Sequence, residues 1–223
     1  MDTRASGPGD RPRILLWMAC AALVLAGALF LGIAEDVHEG DPLVQTDLRI
    51  AVWFHAHGSP ALTQCFIVLT NLHALPAVGL YASLLALWLA RRREFDWLLA
   101  LAIAVPGGMA LNWVFKLAYE RARPVFDDPL LTLDTFSFPS GHAAGATLLY
   151  GFVAAYVLPR LRGTAARFAC ALMLASMVAL VALSRVYLGV HFLSDVLAAI
   201  CAATAWLALC LISVHALQQR RAG

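Results

Sequence analysis

His191 and Asp195 stand four residues apart, and in a helix that spacing puts both on one face. A carboxylate that accepts the Nδ1 proton of an imidazole leaves Nε2 with its lone pair free, which makes an oriented nucleophile. His142 is a second imidazole, suited as an acid to protonate a leaving oxygen. Lys116, Arg123 and Arg185 add three cations, a set that fits an oxyanion with several negative oxygens. Arginine offers a planar fork for bidentate contact and lysine a point charge. Ser140 and Gly141 precede His142 in the run Pro139-Ser140-Gly141-His142. If a helix starts there, Ser140 is its N-cap and the free N–H groups of Gly141 and His142 form a ready anion site. Capping alone would also explain Ser140, and Gly141 and Gly145 also suit close helix packing. Two histidines without a cysteine-rich or carboxylate-rich set make a poor metal site, since zinc wants three or four ligands, and the surrounding cations argue against one.

These residues need elements to bring them together, and the composition says what kind. The chain has 223 residues, 61% hydrophobic and 13% charged. Soluble domains are nearer 45–50% apolar, so the bilayer is the expected solvent. Six apolar stretches are long enough to cross it as helices. They run from about Ile14 to Ile33, within Ala61 to Ala90 with a bend at Pro76, from Trp97 to Lys116, Ala143 to Leu158, Phe168 to Tyr187 and Phe192 to Val214. The first could instead be a signal peptide ending at Gly32-Ile33-Ala34, but its core exceeds the usual length of about 7–15 residues. The expected fold is all-α, a bundle of six transmembrane helices in a single membrane-embedded domain over 1–223. Residues 1–12 form a disordered tail and 112–200 the catalytic region. The segment from Glu35 to Pro60, with Val44, Leu48, Val52, Trp53 and Phe54, fits a surface amphipathic helix or an ordinary loop equally.

Orientation follows from the arginines. Arg4, Arg11, Arg13, Arg91, Arg92, Arg93, Arg160, Arg162, Arg167, Arg220 and Arg221 fall on one side of the six spans, eleven of the sixteen basic residues. That side is expected to be cytoplasmic, with both termini. The opposite loops hold Glu35, Asp36, Glu39, Asp41, Asp47, Glu120, Asp127, Asp128 and Asp134. Counting spans then brings Lys116 and Arg185, at the ends of outward-going helices, to the same face as His142 and His191, at the starts of inward-going ones. Ionisable residues so near the bilayer face a bundle interior or a water-filled cavity. Lys116 is the chain's single lysine, against fifteen arginines.

Other features carry less. Cys20, Cys65, Cys170, Cys201 and Cys210 form no C-x-x-C pair and read as small apolar residues. His38, His55 and His57 read as solvated, His73 as a satisfied interhelical residue, and His215 as remote from the site. Arg49 reads as a solvated charge. Arg121 lies beside the cation motif; contact with a second phosphate or a headgroup is its less favoured reading.

Residues 116–124 read KLAYERARP, a K-x6-R-P pattern; 139–142 read PSGH; 184–195 read SRVYLGVHFLSD, an S-R-x5-H-x3-D pattern. The three in this order resemble the type 2 phosphatidic acid phosphatase superfamily, which includes bacterial lipid phosphatases and vanadium haloperoxidases. The resemblance implies a lipid phosphate or lipid pyrophosphate phosphatase without metal or other cofactor. His191 would attack phosphorus to give a phosphohistidine, His142 protonate the leaving group and Asp195 orient His191. Lys116, Arg123, Ser140, Gly141 and Arg185 would bind the phosphate. Its partners would be the lipid substrate and membrane lipids, not nucleic acid, at the outer face of a bacterial inner membrane. Undecaprenyl diphosphate, phosphatidic acid and phosphatidylglycerol phosphate are the expected substrates, the first favoured by an outward-facing site.

Rival readings use the same residues. A phosphoryl transferase would differ only in its acceptor pocket. A haloperoxidase would not need six apolar spans. A non-enzymatic transporter or scaffold with a decayed site should have lost a motif residue, and every one is present.

Overall fold

The computed structural model describes residues 10–40 and 42–222. Among these, eight α-helices and one 3-10 turn, Leu158–Arg160, form the chain: α1 (Asp10–Glu39), α2 (Pro42–Ala56), α3 (Pro60–Asn71), α4 (Leu75–Arg91), α5 (Phe95–Tyr119), α6 (Gly141–Val157), α7 (Thr164–Tyr187) and α8 (Leu193–Ala222). Helices α1, α5, α6 with the 3-10 turn, α7 and α8 are each long and apolar enough to cross a membrane. The pair α3 and α4, bent by 48° at their junction, makes the sixth. The protein is thus an integral membrane protein of the expected all-α kind. Of the tail expected over 1–12, residues 1–9 lie outside the described residues and 10–12 begin α1.

The expected bend is a break at residues 72–74, with Pro76 in the first turn of α4, where its missing N–H costs nothing. Pro60 plays the same part in α3, behind the N-cap Ser59. Helices α1 and α8 run on to Glu39 and Ala222, past the apolar windows, because hydrophobic patterning marks the lipid-buried part while the backbone ladder continues into polar flanks. The segment before Pro60 resolves as the helix α2. Asp47 and Ala51 share its buried face, and Leu48, Val52 and Trp53 are exposed on the other.

The core lies where α5, α6 and α8 meet, through Ala100, Ala104, Ala144, Leu148, Phe152, Ala199, Ala203 and Leu207. Small side chains let these backbones approach closely. At Gly108 an added Cβ would lie 2.6 Å from Leu148 Cδ1, so a larger residue would require the buried Leu148 side chain to shift. Apolar side chains such as Trp17, Leu25, Leu29, Phe168 and Met173 cover the outside, a surface suited to lipid and not to water. The helix-free stretch from Glu120 to Ser140 crosses one end of the bundle. Glu120 ends α5 in the left-handed region, at φ 43°. Two backbone bonds tie the stretch down: Ser137 N–H to Arg121 O at 2.8 Å, and Ser140 N–H to Asp195 O at 3.1 Å.

Candidate active site

That end of the bundle collects every residue expected to act. Lys116 lies in the last turn of α5, Arg185 in the last turn of α7, His142 in the first turn of α6 and Asp195 in the first turn of α8. Lys116, Ser140, Arg185, His191 and Asp195 are buried. The turn from Arg185 to His191 closes on itself, with Val190 N–H and His191 N–H both donating to Arg185 O. Gly189 supplies its sharp corner at φ +69°.

His191 and Asp195 do share a face. Nδ1 lies 3.4 Å from Asp195 Oδ2 and 3.4 Å from Ser137 Oγ. Ser137 Oγ in turn donates to Asp195 Oδ2, so it is free to accept from the imidazole. Phe192 N–H donates to the same carboxylate oxygen at 2.8 Å. With Nδ1 protonated, Nε2 turns its lone pair toward the cations, 3.2 Å from Arg123 Nη1. Burial pushes the His191 imidazole down to about 3; Arg123 and Arg185 add to the push, and the Asp195 hydrogen bond and charge oppose it. His191 is therefore a neutral base at physiological pH. Burial also lowers the Arg123 guanidinium from its usual value, against the pull of Asp195.

The three motif cations are held by neutral oxygens. Lys116 Nζ donates to Phe136 O at 2.5 Å and Ser137 O at 3.4 Å. Arg123 donates to Thr135 O, Thr135 Oγ1, Phe136 O and Val190 O. Arg185 Nη1 donates to Thr70 Oγ1 at 2.5 Å. Among the described residues, no carboxylate pairs with any of the three. Ser140 holds the N-cap position of α6, but its hydroxyl makes no cap bond. Ser140 Oγ and Arg185 Nε are the two buried side-chain polar atoms among the described residues without a hydrogen-bond partner. Such atoms are rare and call for an explanation.

His142 lies within electrostatic reach of Arg123, Arg185 and His191. With Lys116 and Gly141 it lines a cavity of about 290 Å³ whose wall continues through His73, Asn112 and Trp113. His73 is satisfied between helices as expected, with Nδ1 on Leu69 O at 2.8 Å and Nε2 on the Tyr150 hydroxyl at 2.6 Å. His55 is less solvated than the sequence suggests: it pairs with Asp128 at 2.9 Å and stacks on Phe126.

The fourth cation differs. Arg121 Nη1 donates to Asp195 Oδ1 at 2.6 Å and Ser194 Oγ at 2.7 Å, and Nη2 to Asp47 Oδ2 at 2.9 Å. Its guanidinium is engaged by two carboxylates and a hydroxyl of the protein. Asp47, Ser137 and Ser194 are site residues that sequence reasoning missed. A signal for Asp47 existed: it sits four residues before Ala51, on the face of α2 opposite Leu48 and Val52.

Fold and site together define a polytopic helical membrane protein with a buried cluster of cations and histidines at one end of its bundle. The family model of the PAP2 superfamily matches residues 97–219, more than half of the chain. The chain belongs to that superfamily. Phosphatidylglycerophosphatase B of Bacillus subtilis (strain 168) is 40% identical over 107 residues, 48% of this chain and 52% of the relative, so the match spans about half of that protein's length. The crystal structure of a transmembrane PAP2-type phosphatidylglycerolphosphate phosphatase from Bacillus subtilis superposes with a TM-score of 0.72 at 29% identity, covering 89% of this chain and 96% of that one. LpxE of Aquifex aeolicus superposes with a TM-score of 0.60 at 20% identity, covering 74% and 94%, a likeness of fold alone.

Proposed function

We propose that the protein is a membrane lipid phosphatase that works through a phosphohistidine. One observation carries the reading: Arg123 and Arg185 lie within electrostatic reach of His191, Lys116 lies within reach of both arginines, and among the described residues none of the three has a carboxylate partner, while Ser140 Oγ and Arg185 Nε have no hydrogen-bond partner. A phosphoryl group supplies the missing charge and acceptors together. His191 Nε2 attacks phosphorus while the bond to the leaving oxygen breaks. His142 gives that oxygen a proton. Water then attacks the phosphohistidine, its proton passes to His142, the P–N bond breaks and inorganic phosphate leaves. The unpartnered Arg185 Nε and Ser140 Oγ can meet the transferring oxygens without giving up a bond to the protein, and charges fixed in place need no reorganisation in the transition state. Lys116, Arg123 and Arg185 supply charge, and Ser140 with the N–H groups of Gly141 and His142 supply hydrogen bonds. Asp195 holds the Nδ1 proton. The eleven arginines at the opposite ends of the spans support a site on the outer face of a bacterial plasma membrane, with both termini inside. The names of the relatives favour phosphatidylglycerol phosphate as substrate.

The test is phosphate release by the purified protein in detergent with EDTA present. The panel holds phosphatidylglycerol phosphate, phosphatidic acid, a polyprenyl diphosphate and a soluble phosphate ester, each beside His191→Ala. Release from the first, lost in the variant and indifferent to EDTA, is expected. Faster release from the polyprenyl diphosphate would move the substrate to the isoprenoid class. Full activity of His191→Ala would remove the nucleophile assignment.

A further inference from the structure

We propose that Arg121, clamped by Asp47 of α2, is a positioning residue for the nucleophile: it fixes the Asp195 carboxylate and, through it, the His191 imidazole. The inference rests on the reading of His191 as nucleophile. Arg121 joins two buried carboxylates. Beyond its contacts with Asp195, Ser194 and Asp47, its guanidinium lies 4.4 Å over the Phe192 ring. Asp47 closes the circuit by accepting Ser194 N–H at 3.0 Å and the Ser194 hydroxyl. Asp47 and Asp195 are 1% and 0% exposed, so neither charge is screened by water.

The consequence follows from the carboxylate plane. Asp195 Oδ1 is held by Arg121. Oδ2 must therefore face Phe192 N–H, Ser137 and His191. The contact from Oδ2 to His191 is long, 3.4 Å, and Nδ1 shares it with Ser137 Oγ. That contact does not hold the carboxylate by itself, and Phe192 N–H and the Ser137 hydroxyl hold only Oδ2. Remove Arg121 and Oδ1 loses its partner, so the carboxylate can pivot about Oδ2 and the proton on Nδ1 is less firmly enforced. An imidazole free to move that proton to Nε2 has lost its nucleophilic lone pair. Asp47 brings α2 into this chain of contacts. The face of α2 that carries Leu48, Val52 and Trp53 is exposed, so a surface helix holds the nucleophile from behind.

A merely structural staple between α2 and α8 would give lower stability and nothing else. The experiment therefore reads the imidazole directly. Histidine-selective 15N spectra of the full chain in detergent at neutral pH, with the His191 signals assigned by their loss in His191→Gln, report its tautomer. Wild type is expected to show the Nδ1–H form alone. Arg121→Gln is expected to show mixed tautomers and a kcat about tenfold lower, the usual scale for an outer partner of an active residue. Arg121→Lys keeps the charge and should restore most of both. A single Nδ1–H tautomer in Arg121→Gln would overturn the proposal, whatever happens to its melting temperature. If Arg121→Gln does not fold, Asp47→Asn decides by the same spectrum, with mixed tautomers expected and an unchanged one fatal. A wild type that releases no phosphate would defeat the phosphatase reading, while the tautomer comparison would still decide this one.

Discussion

Gly189→Ala tests whether the geometry of the Arg185–His191 turn is what makes the site work. Gly189 sits at φ +69°, and a Cβ built there lies 2.9 Å from Phe126 Cε2 and 3.3 Å from Cδ2. An L-residue in the left-handed region costs roughly 1–2 kcal/mol. The clash adds to this, because Phe126 is stacked on His55 with ring centroids 4.1 Å apart and planes within 10°. His55 is itself held by Asp128. Moving Phe126 breaks the stack, at about 0.5–1.5 kcal/mol. The expected loss is therefore about 2–3 kcal/mol, visible as a lower melting temperature in detergent. Any movement of the turn also displaces His191, two residues on, from Arg123 and Arg185. A displacement of about 1 Å costs about a hundredfold in rate. Phosphate release should fall on that scale, with the His191 side chain still present. Phe126→Ala combined with Gly189→Ala removes the clash and keeps the backbone strain, so it should recover part of the lost stability. Wild-type melting and turnover in Gly189→Ala, or no recovery in the double variant, would refute the reasoning.

Two further outcomes follow from the charges. His191, ordinarily near 6.5, is held at about 3 in the fold, so the unfolded chain takes up its proton first as pH falls. The stability tied to its neutral form is intact above about 6.5 and declines toward 3, with about 2 kcal/mol lost by pH 5. Melting scans from pH 7.5 to 5 should show a steeper fall for wild type than for His191→Gln, and parallel curves would contradict the burial argument. Arg185→Lys keeps a charge but loses the fork between Thr70 and the transferred group, and kcat should drop about a hundredfold, as for the loss of one preorganised donor; steady-state phosphate release shows it, and an unchanged kcat would mean that Arg185 is only structural.

The sequence carries the motif half of the site openly. Lys116, Arg123, Ser140, His142, Arg185, His191 and Asp195 lie at the ends of apolar runs, and alternation of spans alone brings those ends to one face. The other half depends on docking. Asp47 meets Ser194 across 147 positions, a contact set by how α2 sits against α8 and by no local pattern. Its segment reads equally as loop or helix because the apolar spacing of Leu48 and Val52 covers barely one turn. Arg121 is two residues from Arg123 and of the same type, yet one faces two carboxylates and the other a histidine. Residues two apart in a regular strand would share a face, but the stretch after Glu120 is not a strand, and nothing in the identity of the two arginines says which way each points. Ser140 shows the same limit: its position as N-cap is legible, but not that its hydroxyl leaves the backbone unbonded.

The charge balance of the finished site explains why two arginines so close in sequence need different partners. Lys116, Arg121, Arg123 and Arg185 face two buried carboxylates, Asp47 and Asp195. If each carboxylate paired with one motif cation, only one of the three would be left unpaired. Instead Arg121 takes both carboxylates. The pairing of Arg121 with Asp47 and Asp195 leaves that corner with one net negative charge and leaves the other three cations to carbonyl and hydroxyl oxygens. A carbonyl oxygen positions a cation without cancelling its charge. Over the whole cluster two positive charges are in excess, matching the two negative ones that a phosphate monoester brings. Arg123→Gln should therefore weaken binding of inorganic phosphate, whereas Arg121→Gln, which frees two carboxylates to compete for the remaining cations, should weaken it too although Arg121 touches no phosphate. Isothermal titration with phosphate in detergent measures both. Unchanged affinity in Arg121→Gln would show that the carboxylates stay where they are without it, and that the segregation of charge is built into the backbone.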